Sequence, residues 1–362
     1  MDVLPSYRLT ITSIGEASAL AAKVIAEGLG SPADRVAEKL YRAPSILADS
    51  LSLEVCERLA EMIRGLGIEA NVESSQAPPP PPNELFDICV HLTDIAQLPK
   101  VSEDLALFLG MDTSTMISLL ITPPAMVIGG VSDATYQAIK SRLNFPGVHV
   151  IASRPTTAKY DIYLESLTSQ QLHPFKRFLQ RLKLTMTDSV LADLDYDTAQ
   201  SIWKQFGHCL PMQVINQAFY RYDLCLVSLP GSLSVSDQPS AQDYLDQTLG
   251  MSPMDYSSVE PHLPLVIAEG LSNQEALQQQ TEFSSHNLVT SIVNVTLQRL
   301  KIEITEAPAL PPIQTLLQQL GLLDSPIKSL PYVTRDTSET YARFAKHVLE
   351  WSGAQVSYKQ CQ

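Results

Sequence analysis

The sequence has few cysteines and none of the spacings that organise metal sites. Its 362 residues include 5 cysteines, far apart and without a CxxC pair, and 7 histidines with no HExxH or HxH motif. A disulfide framework or a zinc site therefore has no basis in the pattern. We predict reduced, mostly buried thiols, as is typical of cytosolic proteins.

Sequence signatures of catalysis are also missing. The chain has no phosphate loop, dinucleotide fingerprint or serine nucleophile elbow. His208 precedes Cys209, but sequence neighbours point in different directions, so we interpret them as a core or loop pair. Asp193, Asp195 and Asp197 alternate like calcium ligands without the loop glycine and the distant glutamate. We predict a solvated turn in which Asp197 caps the next helix. No enzymatic activity, cofactor or metal is predicted.

Positive charge and long apolar runs are equally scarce. With 39 acidic and 25 basic residues the formal net charge is -14, which repels a nucleic-acid backbone on average. No apolar stretch approaches the roughly 20 residues that span a bilayer, and the first residues lack the features of a signal peptide. We predict a cytoplasmic protein that binds proteins of a large assembly, with no direct nucleic-acid contact, membrane insertion or small-molecule substrate. A peripheral place on a membrane-associated complex remains open.

What the chain does have is a recurring order of segments. In the first copy, residues 7–14 alternate like a half-buried strand, and residues 17–42 predict two helices with a glycine stop between them. Residues 44–48 predict a short strand behind a proline. A third helix over residues 52–67 and a strand over 68–73 complete the copy. The order is strand, helix, helix, strand, helix, strand.

This order recurs with drifting sequence until the chain ends. Alternating strands begin again at residues 86, 160, 222 and 300. The third copy is too short for every element, so we expect one to be lost or reduced. We predict an α+β protein of five tandem small βααβαβ units, each a three-stranded antiparallel sheet covered by helices. The predicted repeats span residues 1–75, 84–156, 157–219 (abbreviated), 220–298 and 299–362.

Five consecutive prolines separate the first two repeats. They occupy positions 78–82 within a predicted linker of residues 76–83. Such a run favours an extended polyproline helix and offers no backbone donors to a sheet. We interpret it as a stiff spacer, with a ligand for aromatic grooves as the alternative.

Two helices carry features with a predicted orientation. The third helix of the first repeat has an apolar face, which comprises Val55, Leu59, Met62 and Ile63. The last helix of the chain, residues 338–351, carries Glu339 and Arg343 four residues apart. Oppositely charged residues at this spacing pair on a helix surface, so we predict an exposed ion pair.

The first repeat resembles a known family. The residues that carry the likeness are 28–30 (Gly-Leu-Gly), 36–40, Ala43-Pro44, 57–67 and 68–73. They are similar to the C-terminal domain of the bacterial ribosomal stalk protein, and the adaptor of the Clp protease shares its fold. The resemblance implies a compact unit of three helices on a three-stranded antiparallel sheet. Two different functions on one fold leave the function open.

The resemblance also implies an interaction face. The stalk protein recruits translation factors through a basic and apolar face on the first two helices of this domain. Here Lys23 is the only base of the first helix, while Arg35 and Lys39 preserve part of the second helix's character. Ala21 and Val24 stand where the family has basic residues, which argues against a simple inheritance of factor recruitment.

Aromatic side chains are the other candidates for protein contacts. Large aromatic residues concentrate binding energy in interfaces, although we favour core packing or contact between repeats as the interpretation of these residues. The candidates are Trp203, Phe206, Tyr220, Tyr341, Phe344 and Trp351.

Three hypotheses follow for the function. The first is a non-enzymatic linker or scaffold whose repeats bind different subunits of a large assembly. Linkers of the cyanobacterial phycobilisome, a light-harvesting antenna, are one example of such a role, and a ribosome-associated factor is another. The second is an adaptor that recruits a translation factor or protease client through one exposed helix pair. The third is an enzyme with a site between repeats.

Overall fold

The computed structural model describes residues 6–165, 168–229 and 238–360. In these residues the fold is mixed α+β, with 13 α-helices and five small antiparallel sheets, four of three strands and one of four. We call each sheet, with the helices between its strands, a module. Among the described residues, no helix combines the length and the apolar character that crossing a membrane requires.

Module 1 has the order of elements predicted for the first repeat. Its elements are β1 (Tyr7–Ser13), α1 (Ala19–Leu29), α2 (Ala33–Tyr41), β2 (Ser45–Leu51), α3 (Leu53–Gly65) and β3 (Glu69–Ser74). The sheet order is β2-β1-β3, with both pairs antiparallel. Leu9 and Ile11 alternate along the central strand and are fully buried. Arg8 and Thr10, on the other face, are each only 3% exposed, so the strand is buried on both faces and not half-buried as predicted.

The apolar face predicted for α3 is wrong in part. Ile63 is buried, but Val55 and Met62 are 53% and 47% exposed. The core side is instead formed by Cys56, Ala60 and Ile63, which are fully buried at helical spacing. Val55 and Met62 therefore lie on an apolar surface outside the core of module 1.

Module 2 repeats the order of module 1 and adds a short 3-10 turn, Ile95–Gln97. Its elements are β4 (Leu85–Leu92), α4 (Leu98–Leu109), α5 (Thr113–Leu120), β5 (Met126–Ser132), α6 (Asp133–Arg142) and β6 (Val148–Ser153). The sheet order is β5-β4-β6.

Module 3 lacks one helix, as the short third repeat indicated. Its elements are β7 (Tyr160–Leu164), α7 (Ser169–Arg181), β8 (Val190–Leu194), α8 (Tyr196–Phe206) and β9 (Met212–Asn216). The predicted first strand extended to residue 167, and residues 166–167 lie outside the described part. The helix after the aspartates is capped by Asp195 and not by Asp197, because Asp195 Oδ1 accepts the Thr198 N–H at 2.8 Å.

Modules 4 and 5 depart further from the predicted order. Module 4 comprises β10 (Tyr222–Leu226), α9 (Gln238–Leu249), α10 (Tyr256–Val259), β11 (Leu265–Leu271), α11 (Asn273–Ser285) and β12 (Thr290–Asn294). Module 5 comprises β13 (Arg299–Glu306), α12 (Leu310–Gln319), β14 (Tyr332–Val333), β15 (Thr337–Ser338), α13 (Glu339–Trp351) and β16 (Gln355–Gln360). The second helix is a single turn in module 4, and no helix lies between α12 and β14 in module 5. The prediction of the full βααβαβ order was therefore wrong for module 5, whereas the reduced order of module 3 was expected from its length.

The middle strands share their flanking residues. A cis proline precedes the strand in four modules, at Pro44, Pro124, Pro264 and Pro331. In modules 1, 4 and 5 the strand ends at a serine whose hydroxyl accepts a backbone N–H of the next helix; these serines are Ser52, Ser272 and Ser338. Proline and serine therefore mark the two ends of these strands.

A polar contact ties the first strand to the middle strand in three modules. An aspartate of the first strand accepts the N–H of a residue with positive φ, where the register of the middle strand shifts. The pairs are Asp87 with Gly130 at 3.1 Å, Asp161 with Asp193 at 3.0 Å and Asp223 with Gly270 at 2.9 Å. Burial raises the pKa of the Asp87 and Asp223 carboxyls.

The contact of Asp223 can be tested with two substitutions. Asp223→Ala leaves the Gly270 N–H without its acceptor, so we expect the free energy of unfolding to fall by about 1–3 kcal/mol. Asp223→Asn keeps an amide oxygen and removes a charge that burial disfavours, so we expect no loss near pH 8.

The pH dependence of stability separates the wild type from Asp223→Asn. Because the pKa of Asp223 is raised in the folded state, the folded protein binds this proton more tightly than the unfolded chain. The wild type should therefore gain stability from Asp223 as the pH falls from the raised folded value towards about 3.9, the unfolded value. Urea unfolding across this window should show a smaller gain for Asp223→Asn, and equal slopes would contradict the assignment.

The chain divides into two compact bodies. The first contains modules 1 and 3 with most of module 2, and the second contains modules 4 and 5 with His91–Ala96 and Ile121–Pro124. Modules 3, 4 and 5 each have a core cluster of their own. A repeat of this length therefore suffices to bury a small core.

Modules 1 and 2 are joined by a packed contact within the first body. The Tyr41 hydroxyl donates a hydrogen bond to the Phe108 carbonyl at 2.8 Å, and the two rings meet edge to face at 5.8 Å. The Arg142 guanidinium lies 4.9 Å from the Phe108 ring centroid and donates to the Glu16 carbonyl at 2.9 Å. Burial raises the pKa of Tyr41 to about 12. The joint is therefore a core contact and not a flexible connection.

The polyproline segment is attached to module 1 at both ends. The buried Arg8 guanidinium donates to the Ala77 and Pro78 carbonyls and forms an ion pair with Glu73 at 2.9 Å. At the other end the Asn83 amide donates to two carbonyls of module 1. We therefore call residues 77–83 the proline strap; it lies along module 1 and does not stand away from it as a free spacer would.

Candidate functional site

Two of the candidate aromatic residues belong to hydrophobic cores. Phe206 is 7% exposed and meets Phe175 and Phe178 edge to face in the core of module 3. Tyr220 is 5% exposed and lies against the ring of Tyr222. The core interpretation was therefore correct for these residues, and neither presents its ring to a partner.

The other candidates of the first body remain at the surface. Trp203 on α8 is 47% exposed, and Lys23 on α1 and Arg35 on α2 are exposed. Lys39 is half-buried, and its Nζ donates to the Leu47 carbonyl at 3.1 Å. Of the three predicted basic contacts, Lys39 therefore has a structural role within module 1.

The remaining candidates lie together on one face of α13. Tyr341, Phe344 and Trp351 follow at spacings of three and seven residues, which places them on one side of a helix. The Tyr341 and Phe344 rings meet at 5.9 Å, and Trp351, the last residue of the helix, is 90% exposed. We call these three residues, with the half-buried Val348, the aromatic face.

The aromatic face is separate from the core face of the same helix. Ala342, Ala345 and Leu349 are fully buried against the sheet of module 5 and occupy the stripe about 100° away around the helix axis. Only Tyr341 also supports the fold directly, because its hydroxyl donates to the Leu320 carbonyl at 2.7 Å. Trp351 therefore has no evident packing role that would explain a tryptophan.

The third face of α13 carries charged side chains. The prediction that its Glu339–Arg343 ion pair is exposed was wrong. Glu339 and Arg343 do pair, with Nε and Oε1 at 2.6 Å, but the side chains are only 9% and 16% exposed. Burial raises the pKa of Glu339, and the Arg343 charge opposes this. Arg343 also donates to the Thr93 carbonyl at 2.9 Å, within the second body. One turn further, Lys346 pairs with Glu350 at 3.1 Å.

A pocket of about 440 Å³ opens beside Tyr341. It lies where the middle strand of module 5 is split into β14 and β15, and Pro331 to Ser338 is one residue shorter than Pro264 to Ser272 in module 4. Thr334 closes the gap, since its hydroxyl accepts the Ile302 N–H at 3.0 Å. The pocket is lined by Arg299, Leu320, Leu322, Arg335, Asp336, Thr337 and Tyr341.

The pocket carries an excess of positive charge. Arg299 donates to the Asp336 carboxylate at 2.9 Å and, with a smaller effect from Lys301, holds the pKa of that carboxyl below its usual value. Arg335 makes no ion pair with a carboxylate in the part of the chain that the structure describes. Its guanidinium lies against Gly321, just past the end of α12. Burial raises the pKa of Tyr341, and the charge of Arg335 opposes this. After Arg299 and Asp336 cancel, one positive charge remains.

Sequence reasoning missed several exposed apolar residues. Leu20 on α1 and Leu107 on α4 are each 63% exposed. Ala19, at the start of α1, lies close to Gly110, just past the end of α4: a Cβ atom added at Gly110 would be 2.7 Å from the Ala19 Cβ. Leu20 and Leu107 both lie in segments that the sequence predicts as helical. A lone sequence gives no signal for this exposure, because the same pattern serves a core or an interface.

No group of three or more His, Cys, Asp or Glu side chains among the described residues could hold a metal ion. A second cleft in the first body, about 780 Å³, is lined mainly by small and polar residues that include Thr12, Ser141 and Arg142. Its lining also includes the carboxylates of Glu16 and Glu69, but no histidine or cysteine.

No protein-family model matches this sequence, and a comparison with curated proteins finds no significant match.

Proposed function

We propose that this protein is a non-enzymatic scaffold whose modules bind different subunits of a large multi-protein assembly. The observation that carries the proposal is the aromatic face of α13, where Trp351 is 90% exposed. Leaving a tryptophan in water costs hydrophobic free energy that a partner would recover, and buried tryptophans are frequent hot spots of interfaces.

Exposed large apolar residues in other modules support several contact surfaces. They occur on α1 and α3 of module 1, on α4 of module 2, on α8 of module 3 and on α11 of module 4. The most exposed on each helix are Leu20, Val55, Leu107, Trp203 and Leu277. If each surface meets a different subunit, the sequence differences among the modules follow from the differences among the partners.

In this proposal the modules are diverged copies of one βααβαβ unit that resembles the C-terminal domain of the ribosomal stalk protein. Support comes from the proline before the middle strand in four modules and from the aspartate contact in three. The packed joint of Tyr41 with Phe108 supports a fixed presentation of modules 1 and 2. Linker proteins of the phycobilisome and ribosome-associated factors are examples of such a scaffold role. In this proposal the scaffold is cytoplasmic or peripheral to a membrane-associated complex.

Replacing Trp351 tests the proposal. We expect Trp351→Ala to weaken binding to the partner of module 5 by at least 2 kcal/mol, about 30-fold in Kd, because the ring is a candidate hot spot. The free energy of unfolding should change by no more than about 0.5 kcal/mol, since the side chain is exposed. Titration calorimetry with the partner subunit and urea unfolding measure the two effects.

The control is Glu350→Gln, at an exposed position on the charged face of the same helix, which should leave binding unchanged. The native chain should co-purify with its assembly in fixed stoichiometry. A chain that is monomeric at native abundance and absent from every large particle would contradict the scaffold proposal.

An adaptor is the second candidate function. It is favoured by the exposed side chains of Leu20, Lys23 and Arg35 on the first helix pair of module 1. An adaptor would exchange rapidly and bind a translation factor or protease client through module 1 alone. Deletion of modules 4 and 5 would then leave binding intact, whereas a scaffold would lose the corresponding subunits.

A further inference from the structure

We propose that the pocket beside Tyr341 receives an acidic side chain of the partner protein, whose neighbouring apolar residues lie on the aromatic face of α13. This inference rests on the proposed scaffold function and specifies the chemistry of one partner: a segment with a carboxylate next to large apolar side chains.

The pocket and the aromatic face are continuous through one residue. Tyr341 lines the pocket and also touches Phe344, which leads along the helix towards Trp351. A volume of about 440 Å³ is within the range of roughly 300–1,000 Å³ that is usual for binding pockets. A partner segment that enters the pocket with one side chain can therefore continue over the half-buried rings of Tyr341 and Phe344 to the exposed ring of Trp351.

The charge of the pocket selects the ligand. Arg335 is exposed and has no carboxylate partner within the described ranges, while Arg299 is already neutralised by Asp336. The guanidinium group binds carboxylates through two parallel hydrogen bonds, so an Asp or Glu side chain is the complementary group.

Arg335 has a structural alternative. It lies against Gly321 at the carboxyl end of α12, where a positive charge favours the exposed carbonyls. Both roles are compatible, because a guanidinium group has five N–H donors. They differ in what a substitution changes: the helix role affects thermal stability, whereas the docking role affects the affinity for carboxylates.

The first experiment uses phenylacetate as a probe of the full-length chain. We expect saturable binding with a Kd of roughly 1–10 mM, as is reasonable for so small a ligand. Arg335→Gln should weaken it at least about tenfold and Arg335→Lys less, because lysine keeps the charge but loses the bidentate contact. Arg58→Gln, at an exposed ion pair of module 1, is the control and should bind like the wild type.

The neutral analogue phenylacetamide and a short capped peptide complete the test. The amide should bind at least about tenfold more weakly than phenylacetate. The peptide, with one internal glutamate followed by two aromatic residues, should bind more tightly than phenylacetate and lose affinity in Arg335→Gln. Binding of phenylacetate without binding of the peptide would overturn the partner-protein assignment. No phenylacetate binding, or binding that Arg335→Gln leaves unchanged, would overturn the pocket itself.

The outcomes separate this inference from the proposed function. If Trp351→Ala abolishes partner binding while Arg335→Gln has no effect on probe or partner, the scaffold proposal stands and the pocket inference fails. If the probes bind through Arg335 but Trp351→Ala leaves the assembly intact, the pocket binds acidic ligands and the scaffold role of α13 fails.

Discussion

Replacing Arg343 with methionine is expected to lower the free energy of unfolding of the second body by about 3–5 kcal/mol near pH 8. The reason is the carboxylate that remains. Glu339 is 7% exposed, and its ion pair with Arg343 is the first compensation for a buried negative charge. Methionine conserves the apolar stem of the side chain but leaves that charge uncompensated. Asp223 and Glu269 add to the negative potential at Glu339.

The loss should depend on pH in a defined direction. Burial already raises the pKa of Glu339 in the folded state, and Arg343 is the main influence that lowers it. Without Arg343 the folded variant takes up this proton at a higher pH than the wild type does. Protonation removes the uncompensated charge, so the deficit of Arg343→Met should shrink as the pH falls towards about 4.3, the unfolded pKa of glutamate.

An exposed ion pair of the same spacing provides the control. Arg58 and Glu54 are also four residues apart, with side chains 81% and 83% exposed. Arg58→Met should change the free energy of unfolding by no more than about 0.5 kcal/mol, because exposed pairs contribute little. Hydrogen exchange of α13 and urea unfolding followed by circular dichroism report the effect. A deficit that is equal at low and high pH would show that the loss comes from packing and not from the charge of Glu339.

Phe108→Ala should destabilise the first body by about 3–5 kcal/mol. The ring is fully buried, so its removal leaves a cavity at the joint of modules 1 and 2. It also removes the edge contact with Tyr41 at 5.8 Å and the ring beneath the Arg142 guanidinium. Aromatic and cation–π contacts of this kind add about 0.5–1.5 kcal/mol to the effect of area alone.

The neighbouring residue Leu107 is the matched control. It follows the same helix but is 63% exposed, so Leu107→Ala should remain within about 0.5 kcal/mol of the wild type. Hydrogen exchange should show that Phe108→Ala accelerates amides in α2, α4 and α6 together, because Tyr41, Phe108 and Arg142 lie on these helices. Acceleration confined to α4 would mean that modules 1 and 2 open independently and that the joint contributes little.

Much of the fold was predictable because its signals are local. The alternation around Leu9 and Ile11 marked β1 without knowledge of its partners, and the prolines at positions 44 and 264 marked two middle strands. The missing helix of module 3 followed from length alone. By contrast, the split of β14 from β15 coincides with one residue fewer in a strand, and its effect is defined only by the register against β13.

Side-chain exposure was less predictable than the elements. Helix α3 offers two apolar stripes, and the sequence favoured the larger residues Val55 and Met62 over Cys56 and Ala60. The smaller stripe is the buried one, because small side chains let the helix approach the sheet. Glu339 was expected at the surface because charged residues are seldom buried, and only the tertiary position of α13 reveals its burial. The sequence named the three aromatic residues that the structure places on one side of α13, and the pocket beside them was not foreseen.

The proline strap changes what counts as a separable part of this protein. Arg8 is 3% exposed, and two of its hydrogen-bond acceptors, Ala77 and Pro78, lie beyond the last strand of module 1. A fragment cut at the end of that strand would expose an arginine that has lost these partners. The smallest separable unit is therefore module 1 together with its strap. Recombination at the predicted repeat boundary, after residue 75, would remove the acceptors of Arg8 and not merely cut a linker.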